Sequence, residues 1–155
     1  MQEANNNILS THWQVIDGVR RVSGQVERAL HPFCTANNIT SLQLGLLLSL
    51  YVKGPQTVSG LAKSTCMAGA NNSALCKKME KEGLVQRTRD SEDERQVLVS
   101  LSSKGVEVVK HFSEECSRWS TCLQMNVTQS EADEMSYALE KLAVLFERSR
   151  EEVNE

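Results

Sequence analysis

Apolar positions recur three or four residues apart through most of this 155-residue chain, and only one stretch departs from that period. The first run carries Ile8, Ile16, Val19, Val26 and Leu30, with Val15 and Val22 alongside, as on one face of an amphipathic helix. His31 and Pro32 are expected to end it, because the residue before a proline avoids the helical region. Thr40 or Ser41 can cap a second helix running to about Val52. Leu42, Leu46, Leu47 and Leu50 make that helix apolar nearly all round, which predicts a central place, and Lys53, Gly54 and Pro55 end it. Thr57 can cap a short third helix from Val58 to about Ser64, with Val58, Leu61 and Ala62 inward. A fourth helix reaches Lys81, with Leu75 and Met79 four apart, and Gly83 sits where a left-handed cap is wanted. The period then changes. Leu84–Val85 and the alternating Val97, Val99 and Leu101 flank a charged tip of Asp90, Glu92, Asp93, Glu94 and Arg95, the pattern of a hairpin. Ser102 or Ser103 caps a fifth helix striped by Val106, Val109, Phe112, Cys116, Trp119 and Leu123. Thr128 and Glu131 form a capping box that opens a last helix lined by Met135, Leu139, Leu142 and Phe146.

Four helices, two strands and two more helices predict a mainly α fold with a two-stranded β wing. This is the order of a winged helix-turn-helix, a shape that mostly grips duplex DNA. The expected divisions are an N-terminal dimerisation helix over 1–36, a winged helix-turn-helix lobe over 37–105 and C-terminal dimerisation helices over 106–155. The first, fifth and sixth helices are long and amphipathic with too little core to cover alone, so a second copy of the chain is the expected partner.

Composition narrows the function. The chain is 40% hydrophobic, 24% charged and 5% aromatic, and it has two prolines, which suits a largely helical protein. It contains no run of about 18 apolar residues, so no membrane span is expected. Its first residues lack a basic region followed by an apolar core, so no secretory leader is expected and the cytoplasm is the predicted compartment. The five cysteines, Cys34, Cys66, Cys76, Cys116 and Cys122, show no paired spacing and are read as free thiols. Net charge is −3, which taken alone argues against nucleic acid. Its distribution argues the other way: Lys53, Lys63, Lys77, Lys78, Lys81, Arg87 and Arg89 stand against only Glu80 and Glu82, and acidic residues dominate after Gly105. His12, His31 and His111 are scattered, and neither a Gly-rich phosphate loop nor an HExxH motif is present. An enzyme is not expected, and no cofactor is implied.

Leu61–Ala62, the run Met79 to Val85, Arg89, Asp93 to Arg95, and the run Val99 to Gly105 fall together at one spacing without gaps. In these pieces the chain resembles the MarR-type (multiple-antibiotic-resistance-type) transcriptional regulators over nearly its whole length. The resemblance implies a winged-helix homodimer with interlocked terminal helices, bound to a pseudo-palindromic operator. Many such proteins release DNA on binding a small phenolic or aromatic molecule, or when a cysteine is oxidised.

That resemblance assigns the recognition helix to about residues 68–81. Burying Leu75, Cys76 and Met79 turns Ala70, Ser73, Ala74 and Lys77 outward. Ser73 can donate or accept, while Asn71 and Asn72 are the adenine readers by residue type, although Asn72 falls at a usually apolar slot and either one can instead cap the helix. Ala68 and Ala74 stand where relatives carry a polar cap and an arginine, so long-armed base-reading chemistry is sparse. Lys63, Lys77, Lys78 and Arg87 are the phosphate candidates, with Thr57 able to add its hydroxyl. At the wing the family pattern carries over onto Asp93, which orients Arg95, and Arg95 enters the minor groove; Arg89 braces the loop or meets backbone.

For the signal, the family pocket maps to His12, Trp13, Ile16, Leu47, Tyr51 and Phe112. Ordinary core packing explains these residues equally well. Thiol oxidation points to Cys76 or Cys116, with inert packing as the plainer reading of both. A metal reading rests on Glu27, His31, Cys34 and His111, a loose match that Pro32 interrupts, and no metal site is assigned. The resulting expectation is a cytoplasmic homodimeric repressor released from its operator by a small molecule. The alternatives are a thiol- or metal-responsive regulator of the same fold and a winged-helix protein-interaction module that does not bind DNA.

Overall fold

The first helix, α1, runs from Gln2 to Ala36 and passes straight through Pro32. The computed structural model describes residues 2–64, 69–89, 96–123 and 127–152, and gives side-chain surroundings for 13–62, 72–89, 96–118 and 127–148. Ending the first helix at His31 is therefore corrected. Proline deprives that turn of one hydrogen bond, but Phe33 and Cys34 lie directly beyond it and are buried in the core. Their packing holds the helix together past the defect. The true stop is Asn38, whose φ of 52° is left-handed, a conformation asparagine tolerates better than most residues. Asn37 supports that end by donating from Nδ2 to the Phe33 carbonyl at 2.9 Å.

Helix α2 spans Ser41–Lys53 and is capped by Thr40. The cap is reciprocal: the Gln43 amide N–H donates to Thr40 Oγ1 at 3.2 Å, and the Thr40 N–H donates to Gln43 Oε1 at 2.9 Å. The leucine-rich face is central as expected, with Leu44, Leu46, Leu47 and Leu50 all buried. Gly54, at φ 77°, turns the chain out of the helix.

Next comes an element absent from the sequence reading, strand β1 at Gln56–Thr57. Two residues are too few to show alternation. They are held by pairing with the wing (Gln56 with Val99, Thr57 with Leu98) and by the Gln56 side-chain amide donating to the Ser49 carbonyl at 3.2 Å. Helices α3 (Val58–Ser64) and α4 (Gly69–Lys81) follow, then β2 (Val85–Arg89) and β3 (Val97–Leu101). The wing is thus part of a three-stranded antiparallel sheet in the order β1-β3-β2, where two strands were predicted.

The turn between α4 and β2 is fixed by backbone bonding. The Leu84 N–H reaches back to the Met79 carbonyl at 2.9 Å and the Gly83 N–H to the Glu80 carbonyl at 3.0 Å, with Gly83 at φ 72°. Helix α5 (Ser103–Leu123) starts against this turn. Ser102 caps it by accepting from the Gly105 N–H at 3.0 Å, while its own hydroxyl donates to the Gly83 carbonyl. A Cβ on Gly105 would lie 2.1 Å from the Leu84 carbonyl oxygen, so this approach needs glycine.

Residues 1–114 form one compact unit and 115–155 another. In the first, Phe33, Ile39, the α2 leucines, Leu61, Cys76, Met79, Leu84, Val85, Val99, Val108 and Val109 make one core. The second contains α6, Gln129–Glu152, opened by the predicted capping box: the Thr128 N–H donates to the Glu131 carboxylate at 2.8 Å. Those hydrogen bonds hold the Glu131 carboxyl below its ordinary pKa. Among the described residues no helix is long and apolar enough to cross a membrane.

Candidate nucleic-acid interface

Helix α4 divides cleanly between core and surface. Cys76 and Met79 are buried and Leu75 is half-buried, while Ser73, Ala74, Lys77, Lys78 and Lys81 are exposed. The side of α4 that carries Ser73 and Lys77, four residues apart, is therefore open, as the periodicity predicted. Asn72 is not on it. It is 2% exposed, turned into the lobe, and is removed from the set of base-reading candidates. A polar residue in an apolar register can follow the register rather than its own chemistry, and here it does.

The basic candidates also separate. Lys77 is exposed with no carboxylate bridged to it among the described residues. Lys78 is exposed and lies 3.8 Å from Glu82, one turn along the same helix. Arg87 was expected to face phosphate, but strand parity places it opposite Val99, on the inward side of the sheet with Val85. Its side chain is only 18% exposed and its Nη1 stands 3.4 Å from Glu80 Oε2. That correction follows from the pleat: Gln86 and Thr88 take the exposed positions, so Arg87 cannot. Arg89, at the end of β2, is exposed. Thr57 does not hold its hydroxyl free. Its Oγ1 accepts from the Gly60 N–H at 3.0 Å and shares a 3.1 Å hydrogen bond with the Ser59 hydroxyl.

Asp93 and Arg95, with Asp90, Glu92 and Glu94, lie outside the described residues, as do Cys66 and Ala68. The side chains of His12, Lys63, Ala70, Asn71, Trp119 and Cys122 also lie outside the described surroundings.

The remaining pocket candidates differ in their surroundings. Leu47 is fully buried in the core, Phe112 packs edge-on against Phe33 with ring centres 5.1 Å apart, and Trp13, Ile16 and Tyr51 are exposed. The surroundings of the three described cysteines, Cys34, Cys76 and Cys116, oppose thiolate formation. Burial raises the pKa of Cys76, with the nearby Arg87 charge pulling weakly the other way. Burial and then Glu115 raise that of Cys116, and burial and then Glu27 raise that of Cys34. Glu27 accepts a 2.7 Å hydrogen bond from Ser41, His31 and His111 are exposed, and among the described residues no three potential ligands cluster.

Two positioning groups escaped the sequence reading. Gln43 is buried and donates from Nε2 to Glu82 Oε2 at 2.6 Å, and the Glu82 carbonyl accepts from Lys104 Nζ at 2.9 Å. Together they join the ends of α2, α4 and α5. The Thr40–Gln43 capping pattern was the one signal that could have drawn attention to Gln43.

Residues 39–97 match the MarR family. Two relatives are regulators. The HTH-type transcriptional regulator FarR of Neisseria gonorrhoeae is 26% identical over 106 residues, 68% of this chain and 73% of that protein. The organic hydroperoxide resistance transcriptional regulator of Bacillus subtilis is 32% identical over 83 residues, 54% of this chain and 56% of that protein. The fold recurs in the crystal structure of NadR in complex with 4-hydroxyphenylacetate (TM-score 0.73, 22% identity, 81% of this chain and 89% of that one). It recurs also in the S. aureus MepR–DNA complex (TM-score 0.66, 22% identity, 82% and 94%). Across the matched segment this chain is therefore similar to the MarR family, and its helix–sheet–helix lobe has the winged helix-turn-helix fold of the solved structures.

Proposed function

We propose that this chain is a homodimeric DNA-binding transcriptional regulator of the cytoplasm, acting as a repressor that leaves a pseudo-palindromic operator when a small phenolic or aromatic molecule binds. The observation that carries this reading is the division of α4. Its core side packs against α3 and β2, while Ser73, Ala74 and Lys77 stay exposed. A helix so presented fits the major groove, with serine and small residues reading base edges and lysine meeting phosphate. Regulator relatives, and a fold shared with a protein solved on DNA, support the same reading.

Dimerisation is supported by two uncovered apolar rows. Val15, Val19, Val22 and Val26 on α1 are exposed in the single chain, as are Met135, Leu139 and Phe146 on α6. Pairing two chains along such rows removes them from water and sets two copies of α4 about a twofold axis. For the signal, the fold shared with NadR, solved with a small aromatic acid, favours a planar organic anion. The Bacillus relative's name brings forward thiol oxidation as the second reading, but the raised pKa values of Cys76 and Cys116 count against either thiol as its sensor.

Selection of duplexes by the purified protein, followed by binding across a range of salt concentrations, tests the proposal. A twofold-symmetric consensus with affinity falling steeply in salt is expected. Recovery of no duplex at low salt would leave the rival protein-interaction module standing. Repeating the selection with salicylate-like acids, peroxide and zinc sorts the signals.

A further inference from the structure

We propose that Arg87 is a positioning residue, a strut that ties the first wing strand to the recognition helix through Glu80 and so sets the angle at which hairpin and helix meet one duplex. The proposal rests on the DNA-binding reading above and deepens it.

The backbone alone gives α4 and β2 one shared fixed point, the turn at Gly83 and Leu84. Pairing with β3 along its whole length orders β2 within the sheet, and the Arg87–Glu80 pair adds a direct side-chain tie from that strand to α4, away from the turn. The pair links different elements: Glu80 is in the last turn of α4 and Arg87 is the central residue of β2, with Nη1 and Oε2 3.4 Å apart. Inward placement opposite Val99 commits the arginine to this role. Its Nε is buried with no hydrogen-bond partner among the described residues, which disfavours a guanidinium held there only to meet phosphate. A phosphate-binding arginine would leave its fork in water, as Lys77 leaves its ammonium.

The two roles predict opposite signs at Glu80. If Arg87 contacted phosphate, Glu80→Gln would free it and remove a repelling carboxylate, so affinity would rise. If Arg87 is a strut, Glu80→Gln weakens binding. Three variants, Glu80→Gln, Arg87→Met and the double, are compared with the parent chain in duplex binding, thermal unfolding and hydrogen exchange. The expected result is a fall in affinity of roughly fivefold or more in each single variant, with the double no worse than the weaker single. Amides of β2 in the free protein should exchange faster in all three. Raised affinity in Glu80→Gln, additive losses, or affinity that only tracks melting temperature would overturn the proposal. So would β2 exchange left unchanged, and that readout needs no DNA. Faster β2 exchange in the variants of a protein that binds no duplex would leave the strut in place and the DNA-binding reading refuted.

Discussion

Gln43 and Glu82, 39 positions apart in sequence, meet through a 2.6 Å hydrogen bond from amide to carboxylate. Gln43 is buried, and its other amide atom, Oε1, accepts from the Thr40 N–H, so one side chain both caps α2 and holds the end of α4. Gln43→Leu keeps the bulk but removes both hydrogen bonds and leaves the Glu82 carboxylate without this donor. The expected loss is about 2 kcal/mol of unfolding free energy, read as a lowered urea midpoint with unchanged slope. A variant as stable as the parent would show that water replaces the amide at no cost.

Gly105 makes a different kind of contact, closeness without a bond. Alanine there would press its methyl onto the Leu84 carbonyl, and backbone has little room to give. Gly105→Ala should destabilise by about 2–3 kcal/mol although alanine is the better helix former. Thermal unfolding decides it, because a neutral or raised Tm is incompatible with this packing.

These two contacts show what the chain reveals about itself and what it hides. Thr40 with Gln43, Thr128 with Glu131, and Gly83 are local signatures, legible because each acts within a few residues. The apolar period located the core sides of α2 and α4 for the same reason. Pro32 misled because a local rule was overridden by burial of Phe33 and Cys34, which no local pattern displays. Strand β1 was too short to leave a periodic trace. Asn72 and Arg87 were assigned by residue chemistry, yet helix register and strand parity decide which way a side chain points. Had parity been carried from Val85 through β2, Arg87 would have been placed inward at once. The partner of Gln43 lies on a different helix, and one sequence holds no sign of it.

On the proposed interface, Lys77 and Arg95 should fail in different ways. Lys77 is an exposed cation on the open side of α4, so Lys77→Ala should weaken binding to all duplexes alike and reduce the salt slope by about 1. Arg95 is assigned to the minor groove by family resemblance. Arg95→Ala should cost roughly tenfold or more in operator affinity with little change in Tm. Unchanged affinity in the second variant would remove the wing from the interface.

The thiols make a pH prediction. Burial raises the pKa of Cys34 and Cys76, so the unfolded chain gives up these protons more readily than the folded one. Stability from this source is complete below the ordinary thiol range and declines as pH climbs through it. At neutral pH both should react with iodoacetamide far more slowly in native protein than in urea. Rapid native labelling of Cys76, followed by peptide mapping, would reopen the oxidation reading.

The apolar rows on α1 and α6 share one spacing: 15, 19, 22, 26 and 135, 139, 142, 146 both step by four, three and four. That is the period of a seam between packed helices. Val22 is 57% exposed and Leu139 58% exposed in the single chain, values that suit neither a core nor a solvent-facing surface. If a second copy covers them, a charge in either row is buried at the interface without a partner, and association fails. Val22→Glu and Leu139→Glu should each sediment as monomers at concentrations where the parent chain is a dimer. The lobe that contains α4 keeps its own core, so each variant should retain helical circular dichroism while losing tight binding to a twofold-symmetric duplex. Dimers that persist in both variants would refute pairing through these rows.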